Sequence, residues 1–163
     1  MALGLEPGCK TLDNLRYGKI CILADADTDG AHIATLICAL FLKHFRPLVE
    51  AGHVFIAQPP LFRIDQGKEV FYALDEDEKE KIVKQLNSKN KQKKIEIQRF
   101  KGLGEMNPSQ LRETVMKPES RRLVQLTLSS SDNANSVFDL LLSKKRAPDR
   151  KEWLEKKGNL AEI

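Results

Sequence analysis

An α/β fold is predicted, with a parallel sheet flanked by helices and a smaller α+β subdomain after it. The apolar run KICILAD at residues 19–25 is short and ends in acids, which is typical of a buried strand. VFIA at 54–57 is a second such run, and apolar residues recur at spacings of three and four between the two. Strand, helix and strand in this order form a βαβ unit with parallel strands.

The helix between these strands is predicted to begin near Gly30 and to be closed by Pro47 and Gly52. The residues before the first strand, 1–18, are interpreted as an incoming connector because glycine and proline punctuate them. The predicted apolar face of the helix comprises Ile33, Leu36, Ile37, Leu40 and Phe41.

The middle and the end of the chain change from this pattern. Two alternating runs flank Gln66 and Gly67 and predict a hairpin, after which Asp75 and Glu78 form a capping box for a charged helix. That helix has Ile82, Val83 and Leu86 on one face. IEIQRF and RRLVQLTL predict two further strands, at 95–100 and 121–128. Short helices are predicted after Asn107 and at 137–142 and 149–157.

Composition limits the class of protein only loosely. The chain has 163 residues, of which 41% are hydrophobic and 31% charged, with a net charge of +4. A mildly basic balance permits a nucleic-acid partner without requiring one. No apolar stretch is long enough for a bilayer, so no membrane partner is expected. Three isolated cysteines fit a reducing, cytoplasmic setting.

The strongest chemical signal is an acidic cluster directly after the first predicted strand. Asp25, Asp27 and Asp29 occupy alternate positions, and alternate side chains of an extended segment share a face. Three neighbouring carboxylates repel one another, and a divalent cation such as Mg²⁺ removes that cost. The carboxyl end of a parallel strand is also where open α/β sheets place their ligands.

Two other interpretations of this cluster compete with a metal site. D-x-D-x-D-G also opens an EF-hand loop, but that loop needs a glutamate at its twelfth position, where this chain has Leu36. The other alternative is a plain acidic turn in which Asp29 caps the following helix. The cluster alone leaves the helix cap and the metal site equally open.

Three long segments resemble bacterial type IIA DNA topoisomerase B subunits. They are LADADTDGAHIATL at 23–36, HVFIAQPPLFRI at 53–64 and QRFKGLGEMNPSQL at 98–111, in the family's order and spacing. The first is similar to the acidic signature of the family's Toprim domain. LRYGKICILADAD and the ending KKGNLAEI look more like the topoisomerase IV branch than the gyrase branch.

The resemblance implies an enzyme in which this chain holds Mg²⁺, with Mn²⁺ or Ca²⁺ as possible substitutes, while a tyrosine of the A subunit attacks double-stranded DNA. Asp25 would bridge the metal positions, Asp27 would hold the second and Asp29 would support both. His32, Arg99 and Lys101 would bind DNA phosphates. Without the family, His32 is equally a solvent-facing helix residue, and the segment 99–105 an ordinary strand-to-helix turn with solvated basic flanks.

The resemblance also implies a division of the chain and an incomplete enzyme. Residues 1–61 would be the C-terminal part of a Toprim domain, 62–100 a tail-type insertion, and 101–163 a Toprim-contacting loop with the C-terminal tail helices. The family's E-G-x-S-A motif, its P-L-R-G-K segment and its ATP-binding region are not in this sequence. The chain alone is therefore expected to be inactive, and ATP would act only through the N-terminal region of the subunit.

In the family, an A₂B₂ heterotetramer relaxes and decatenates DNA on the bacterial nucleoid. Two alternatives to a topoisomerase IV fragment are a gyrase B fragment and a non-catalytic module that docks DNA or the A subunit. The basic run SKKRAPDRKEWLEKK at 143–157 would favour docking, although such runs are usually solvated helix faces.

Overall fold

The computed structural model describes residues 2–89, 93–128 and 133–160. In that part of the chain, helices pack against two three-stranded sheets, which confirms a mixed α/β fold. The strands are β1 (Ile20–Ile22), β2 (Val54–Ala57), β3 (Phe62–Gln66), β4 (Glu69–Ala73), β5 (Ile95–Arg99) and β6 (Leu123–Gln125). The α-helices are α1 (Thr28–His44), α2 (Arg46–Glu50), α3 (Glu76–Lys89), α4 (Pro108–Leu111), α5 (Ala134–Leu142) and α6 (Ala147–Lys157).

The first sheet has the order β1-β2-β6. β1 and β2 are parallel, with Ile20 opposite Val54, so the βαβ unit is confirmed. β6 runs antiparallel to β2, with Leu123 opposite Ala57, so the sheet is mixed and the predicted parallel arrangement holds only for β1 and β2. An antiparallel neighbour needs no helical crossover, and the strand pattern alone does not give its direction.

The main core lies between this sheet and helices α1 and α2. Val54 and Leu48 are fully buried there, and Leu5 of the incoming connector is buried with them. The connector is also tied down by the Gly8 N–H, which donates to the carbonyl of His44 at 2.7 Å. The buried side of α1 therefore packs against both the sheet and the incoming connector.

The predicted helix after β1 is divided in two. α1 begins at Thr28, two residues before the prediction, and ends at His44. Pro47 then stands in the first turn of α2, so it helps to start a helix instead of closing one. Proline suits that position because its missing N–H would have no partner in the first turn.

The buried face of α1 is rotated from the predicted one. Phe41 is buried as expected, and Cys38 and Leu42 join it in the core. Ile33, Leu36 and Leu40 are 51%, 44% and 49% exposed. The same partial cover is seen on β1, where Ile22 is buried and Cys21 is exposed, so the strand buries one face and not two.

The second sheet has the order β4-β3-β5, and all its pairs are antiparallel. The predicted hairpin is confirmed: β3 and β4 are joined by a turn in which Gly67 has a φ of +67°, a conformation that glycine adopts readily. A separate small core contains Phe62, Ile64, Ala73 and Leu86 of the packed helix α3. The boundaries predicted for the three parts of the chain stay predictions.

Two short hydrogen-bonded motifs start the later helices. Asp75 caps α3 by accepting the Glu78 N–H at 2.8 Å, but the Glu78 carboxylate accepts from Leu74 at 2.7 Å, one residue before the predicted partner. Asn107 caps α4 and forms a complete capping box with Gln110. Within the described residues, no helix is long and apolar enough to cross a bilayer.

An ion pair connects the residue before β6 with helix α3. The Arg122 guanidinium, directly before β6, donates to both carboxylate oxygens of Glu78 in α3, at 2.9 and 2.7 Å. The hydrogen bond from Arg122 is the main reason that the pKa of Glu78 lies below its ordinary value. Burial acts in the opposite direction, and the Leu74 N–H lowers the pKa further.

We predict that Glu78→Gln lowers the free energy of unfolding by up to about 1 kcal/mol near neutral pH, a modest effect because Arg122 is half exposed. A carboxylate with a lowered folded-state pKa stabilises the fold above its ordinary pKa of about 4.3 and loses that effect as the pH falls through the folded-state value. The difference between wild type and variant should therefore shrink towards pH 3, measured by urea denaturation. Glu80→Gln is the control, because the Glu80–Lys84 pair is largely exposed; an equal loss in both variants would contradict the prediction.

Candidate functional site

The acidic cluster lies where the chain leaves β1 and enters α1. Because β1 and β2 are parallel, their carboxyl ends reach the same edge of the sheet, and the loops that follow both strands meet there. Residues 23–27 form the first loop, and 58–61 form the second. The predicted site therefore lies at the edge of the sheet where the loops after β1 and β2 meet, and its role stays a prediction.

Asp27, and not Asp29, caps helix α1. Its backbone is extended, with φ −120° and ψ −179°, and its Oδ1 accepts the Gly30 N–H at 2.7 Å. Asp29 is the second residue of the helix and is exposed, where a negative charge interacts favourably with the helix dipole. The helix-cap interpretation was therefore right in kind but placed on the wrong residue, because the helix begins earlier than its apolar pattern suggests.

Asp25 is held by a part of the chain far away in sequence. Its Oδ1 accepts the Leu103 N–H at 2.7 Å, a contact between residues 78 positions apart. Leu103 belongs to the glycine-containing turn after β5, which begins the short 3₁₀ helix Leu103–Glu105. The two segments singled out in the sequence are thus in direct contact.

Gly30 is a site residue that the sequence reasoning missed. It is buried, and a Cβ atom built on it would lie 2.0 Å from the carbonyl oxygen of Asp25. Glycine weakens a helix, so its presence in the first turn was itself a signal that space is limited there. Gly30 allows the helix to start directly against the backbone of Asp25.

Basic side chains line the same region. An open cleft of about 850 Å³ lies between the start of α1 and the end of β5. It is lined by Ala26, Asp27, Thr28, Ala31, Leu61, Arg99, Phe100 and Lys101. The fold therefore brings Asp27 together with Arg99 and Lys101. His32 is exposed but is not among the residues that line this cleft.

Neither basic side chain is neutralised by the acids of the cluster in the described part of the chain. The Arg99 guanidinium lies 5.8 Å from the centre of the Phe62 ring, a cation–π distance. The Lys101 backbone N–H donates to Glu105 at 2.8 Å, while its side chain is exposed. Both cations therefore remain able to bind an external anion.

The three carboxylates do not form one three-ligand group. Among the described residues, no set of three His, Cys, Asp or Glu side chains is placed to hold a metal ion. The assumption of an extended segment with one shared face fails because α1 begins at Thr28, so Asp29 is already helical. Mg²⁺ commonly keeps several waters and takes only one or two protein carboxylates, so the chemistry of Asp25 and Asp27 still fits this ion without a third ligand.

Several basic side chains of the run near the C-terminus are paired with nearby acids. Arg146 contacts Asp139 and Asp149, and Lys156 contacts Glu152 one turn earlier in α6. The Arg150 guanidinium donates to the carbonyls of Leu140 and Ser143, which fixes α6 against the end of α5. This pattern is that of a solvated helix face with a structural arginine.

Comparison with known proteins gives consistent matches. Residues 92–155 match the family model described as DNA gyrase B subunit, carboxyl terminus. The whole chain is 63% identical to the B subunit of DNA topoisomerase 4 from Pseudomonas aeruginosa and 61% identical to that from Escherichia coli, covering 26% of each protein. The DNA gyrase B subunit of Thermus thermophilus is 47% identical over 93% of this chain and 23% of its own length. The chain thus spans about a quarter of the length of these relatives.

We predict that Gly30→Ala destabilises the protein by about 1–3 kcal/mol, because the added methyl group would overlap the Asp25 carbonyl. Helix propensity alone predicts the opposite, a gain of about 1 kcal/mol. Urea denaturation of the variant decides between the two effects. Gly18→Ala is the control, since a Cβ there meets nothing within 4 Å. A Gly30→Ala protein as stable as wild type would show that the contact is not tight.

Proposed function

The chain belongs to the B-subunit family of bacterial type IIA DNA topoisomerases, and we propose that it carries metal-binding carboxylates that assist DNA strand cleavage by the partner A subunit. The first sheet and α1 would be the C-terminal part of the family's Toprim domain. The observation that carries this proposal is the meeting of two distant segments, in which the Leu103 N–H donates to Asp25 at 2.7 Å and Asp27 shares a cleft with Arg99 and Lys101.

Asp25 and Asp27 would hold the metal. Each has one oxygen engaged by a backbone N–H, from Leu103 and Gly30 respectively, and Oδ2 of each is the oxygen left for a cation. Bound Mg²⁺ would supply positive charge at the 3′ oxygen that leaves when the DNA strand is cut. Asp29, exposed in the first turn of α1, would support the site through its negative charge and bound water.

Arg99 and Lys101 would bind the DNA backbone beside the metal. Their side chains are exposed at the cleft that they share with Asp27. Phosphate contacts of this kind position a duplex without reading its sequence. His32, one turn into α1, would contact a phosphate farther along the strand, outside the cleft itself.

The remaining parts of the reaction are proposed to lie outside this chain. The nucleophile would be a tyrosine of the A subunit in an A₂B₂ complex, and ATP would bind in another region of the complete B subunit. The glutamate of the E-G-x-S-A motif would complete the metal site. This proposal is consistent with a chain that covers about a quarter of its relatives.

Within the family, the topoisomerase IV branch is favoured. Identity to the topoisomerase 4 relatives is 59–63%, against 46–47% for the two gyrase relatives compared. Relaxation and decatenation would then be the activities of the whole complex. A gyrase B fragment is the less favoured alternative.

We predict that Asp25→Ala or Asp27→Ala, introduced into the complete B subunit, lowers Mg²⁺-dependent DNA cleavage by roughly 100-fold or more, because the charge at the leaving oxygen is lost. Lys101→Ala should cost less than about 10-fold, since it removes one of several phosphate contacts. Cleavage and relaxation of supercoiled plasmid by the reconstituted complex measure both effects. Raised Mg²⁺ should partly rescue the aspartate variants only.

Normal cleavage by the aspartate variants would contradict the metal role and would favour the docking alternative. In that case the variants should still assemble with the A subunit, as gel filtration would show. The acidic cluster would then be a helix cap, as Asp27 already is.

We further predict that this chain, mixed with the A subunit, DNA and Mg²⁺, gives no cleavage, whereas the complete B subunit does. The reaction needs the nucleophile, the metal ligands and the phosphate held together, and this chain would supply only part of them. A plasmid-nicking assay under identical conditions is the measurement. Cleavage by the chain would show that Asp25 and Asp27 suffice as ligands.

A further inference from the structure

We infer that the turn formed by Gly102 and Leu103 is a positioning element for Asp25, which presents one oxygen of that carboxylate to a metal ion. This inference rests on the proposed metal role of Asp25. Leu103 and Gly102 would touch neither metal nor DNA. They would act on the metal only through the orientation of the carboxylate.

The first argument is the hydrogen bond itself. The Leu103 N–H donates to Oδ1 of Asp25 at 2.7 Å, a short distance for a nitrogen donor and typical of a bond to a charged acceptor. Asp25 is exposed, so without this bond its carboxylate would rotate freely in water. Fixing Oδ1 leaves Oδ2 as the oxygen available to a cation.

The second argument is the close approach of Gly102. A Cβ atom built on Gly102 would lie 3.1 Å from both Cγ and Oδ1 of Asp25 and 3.2 Å from Oδ2. The backbone of Gly102 is extended, with φ −176° and ψ 173°, which any residue adopts. Glycine therefore leaves room for the carboxylate, which a side chain at this position would push aside by a few tenths of an ångström.

The third argument is that the turn is anchored on both sides. Phe100 and Met106 are only 2% and 7% exposed, so each end of the turn is fixed by a buried side chain. The Phe100 N–H donates to the carbonyl of Leu61 at 2.8 Å, and the Met106 N–H donates to that of Leu103 at 3.1 Å. The donor is thus held rigidly before any ligand arrives.

A rigid donor behind a metal ligand raises affinity because the ligand does not have to be ordered on binding. Removing such outer contacts commonly weakens metal binding by about 10- to 100-fold. The same turn follows Arg99 and Lys101 directly, so it also sets the spacing between the carboxylate and the basic side chains. One short segment therefore sets the position of the Asp25 carboxylate relative to Arg99 and Lys101.

The chain contains a matched pair of glycines with which to test this. A Cβ on Gly104, two residues later in the same turn, meets nothing within 4 Å. Gly102→Ala and Gly104→Ala therefore make the same chemical change in the same turn, and only the first presses on Asp25. Each of these two substitutions is introduced separately into the complete B subunit, and Asp25→Asn is made as a third variant.

The measurement is Mn²⁺ binding followed by electron paramagnetic resonance, which counts free Mn²⁺ and does not depend on catalysis. Gly102→Ala is expected to raise the Kd for Mn²⁺ by about 10-fold, and Asp25→Asn by at least as much. Gly104→Ala should stay within about twofold of wild type, since it leaves the carboxylate untouched. Thermal unfolding of the three variants should be close to that of wild type.

The outcomes separate the two proposals. If Gly102→Ala and Gly104→Ala bind Mn²⁺ alike while Asp25→Asn binds weakly, the positioning role is refuted and the metal role stands. If Asp25→Asn binds like wild type, the metal role itself is wrong. Should Gly102→Ala fail to fold, the Leu103 amide signal in NMR spectra of this chain replaces it: the signal must move on Asp25→Asn, and an unmoved signal would overturn the inference.

Discussion

The parallel pairing of β1 with β2 is the constraint on which the rest of the site depends. Because β1 and β2 are parallel, the chain leaves both strands at the same edge of the sheet. The loop 23–27 therefore lies beside the loop 58–61. The carbonyl of Leu61 then accepts the Phe100 N–H, so the end of the second sheet is brought to that same edge. The acidic loop and the glycine-containing turn meet because both are attached to this edge.

At this edge of the sheet, the described contacts of the carboxylates are with backbone N–H groups and not with the basic side chains nearby. One oxygen of each of two carboxylates accepts a backbone N–H, that of Asp27 from Gly30 and that of Asp25 from Leu103. In the described contacts, Arg99 and Lys101 consequently form no ion pair with these neighbouring carboxylates. A site in which half-engaged carboxylates lie near available cations is suited to a metal ion and a phosphate together, which is what the proposed function requires.

Local patterns determined much of the fold. The spacing of apolar residues predicted the βαβ order, and a glycine between two alternating runs predicted the hairpin with Gly67 in its turn. Asp75 and Asn107 begin their helices as predicted, because a cap involves only the next few residues. The resemblance to the family also predicted that Asp25 and Arg99 belong to one candidate site, and their roles stay predictions.

Tertiary packing determined the features of the structure that depend on residues far apart in the sequence. β6 joined the sheet antiparallel, and α1 turned its Ile33, Leu36 and Leu40 outward, because the neighbours available to each element are not written in its own periodicity. The early start of α1 at Thr28 made Asp29 helical, so the three aspartates do not lie on one extended segment. The contact between Leu103 and Asp25 joins positions 78 residues apart. No local pattern encodes it, since it exists only where two sheets deliver their loops to the same edge.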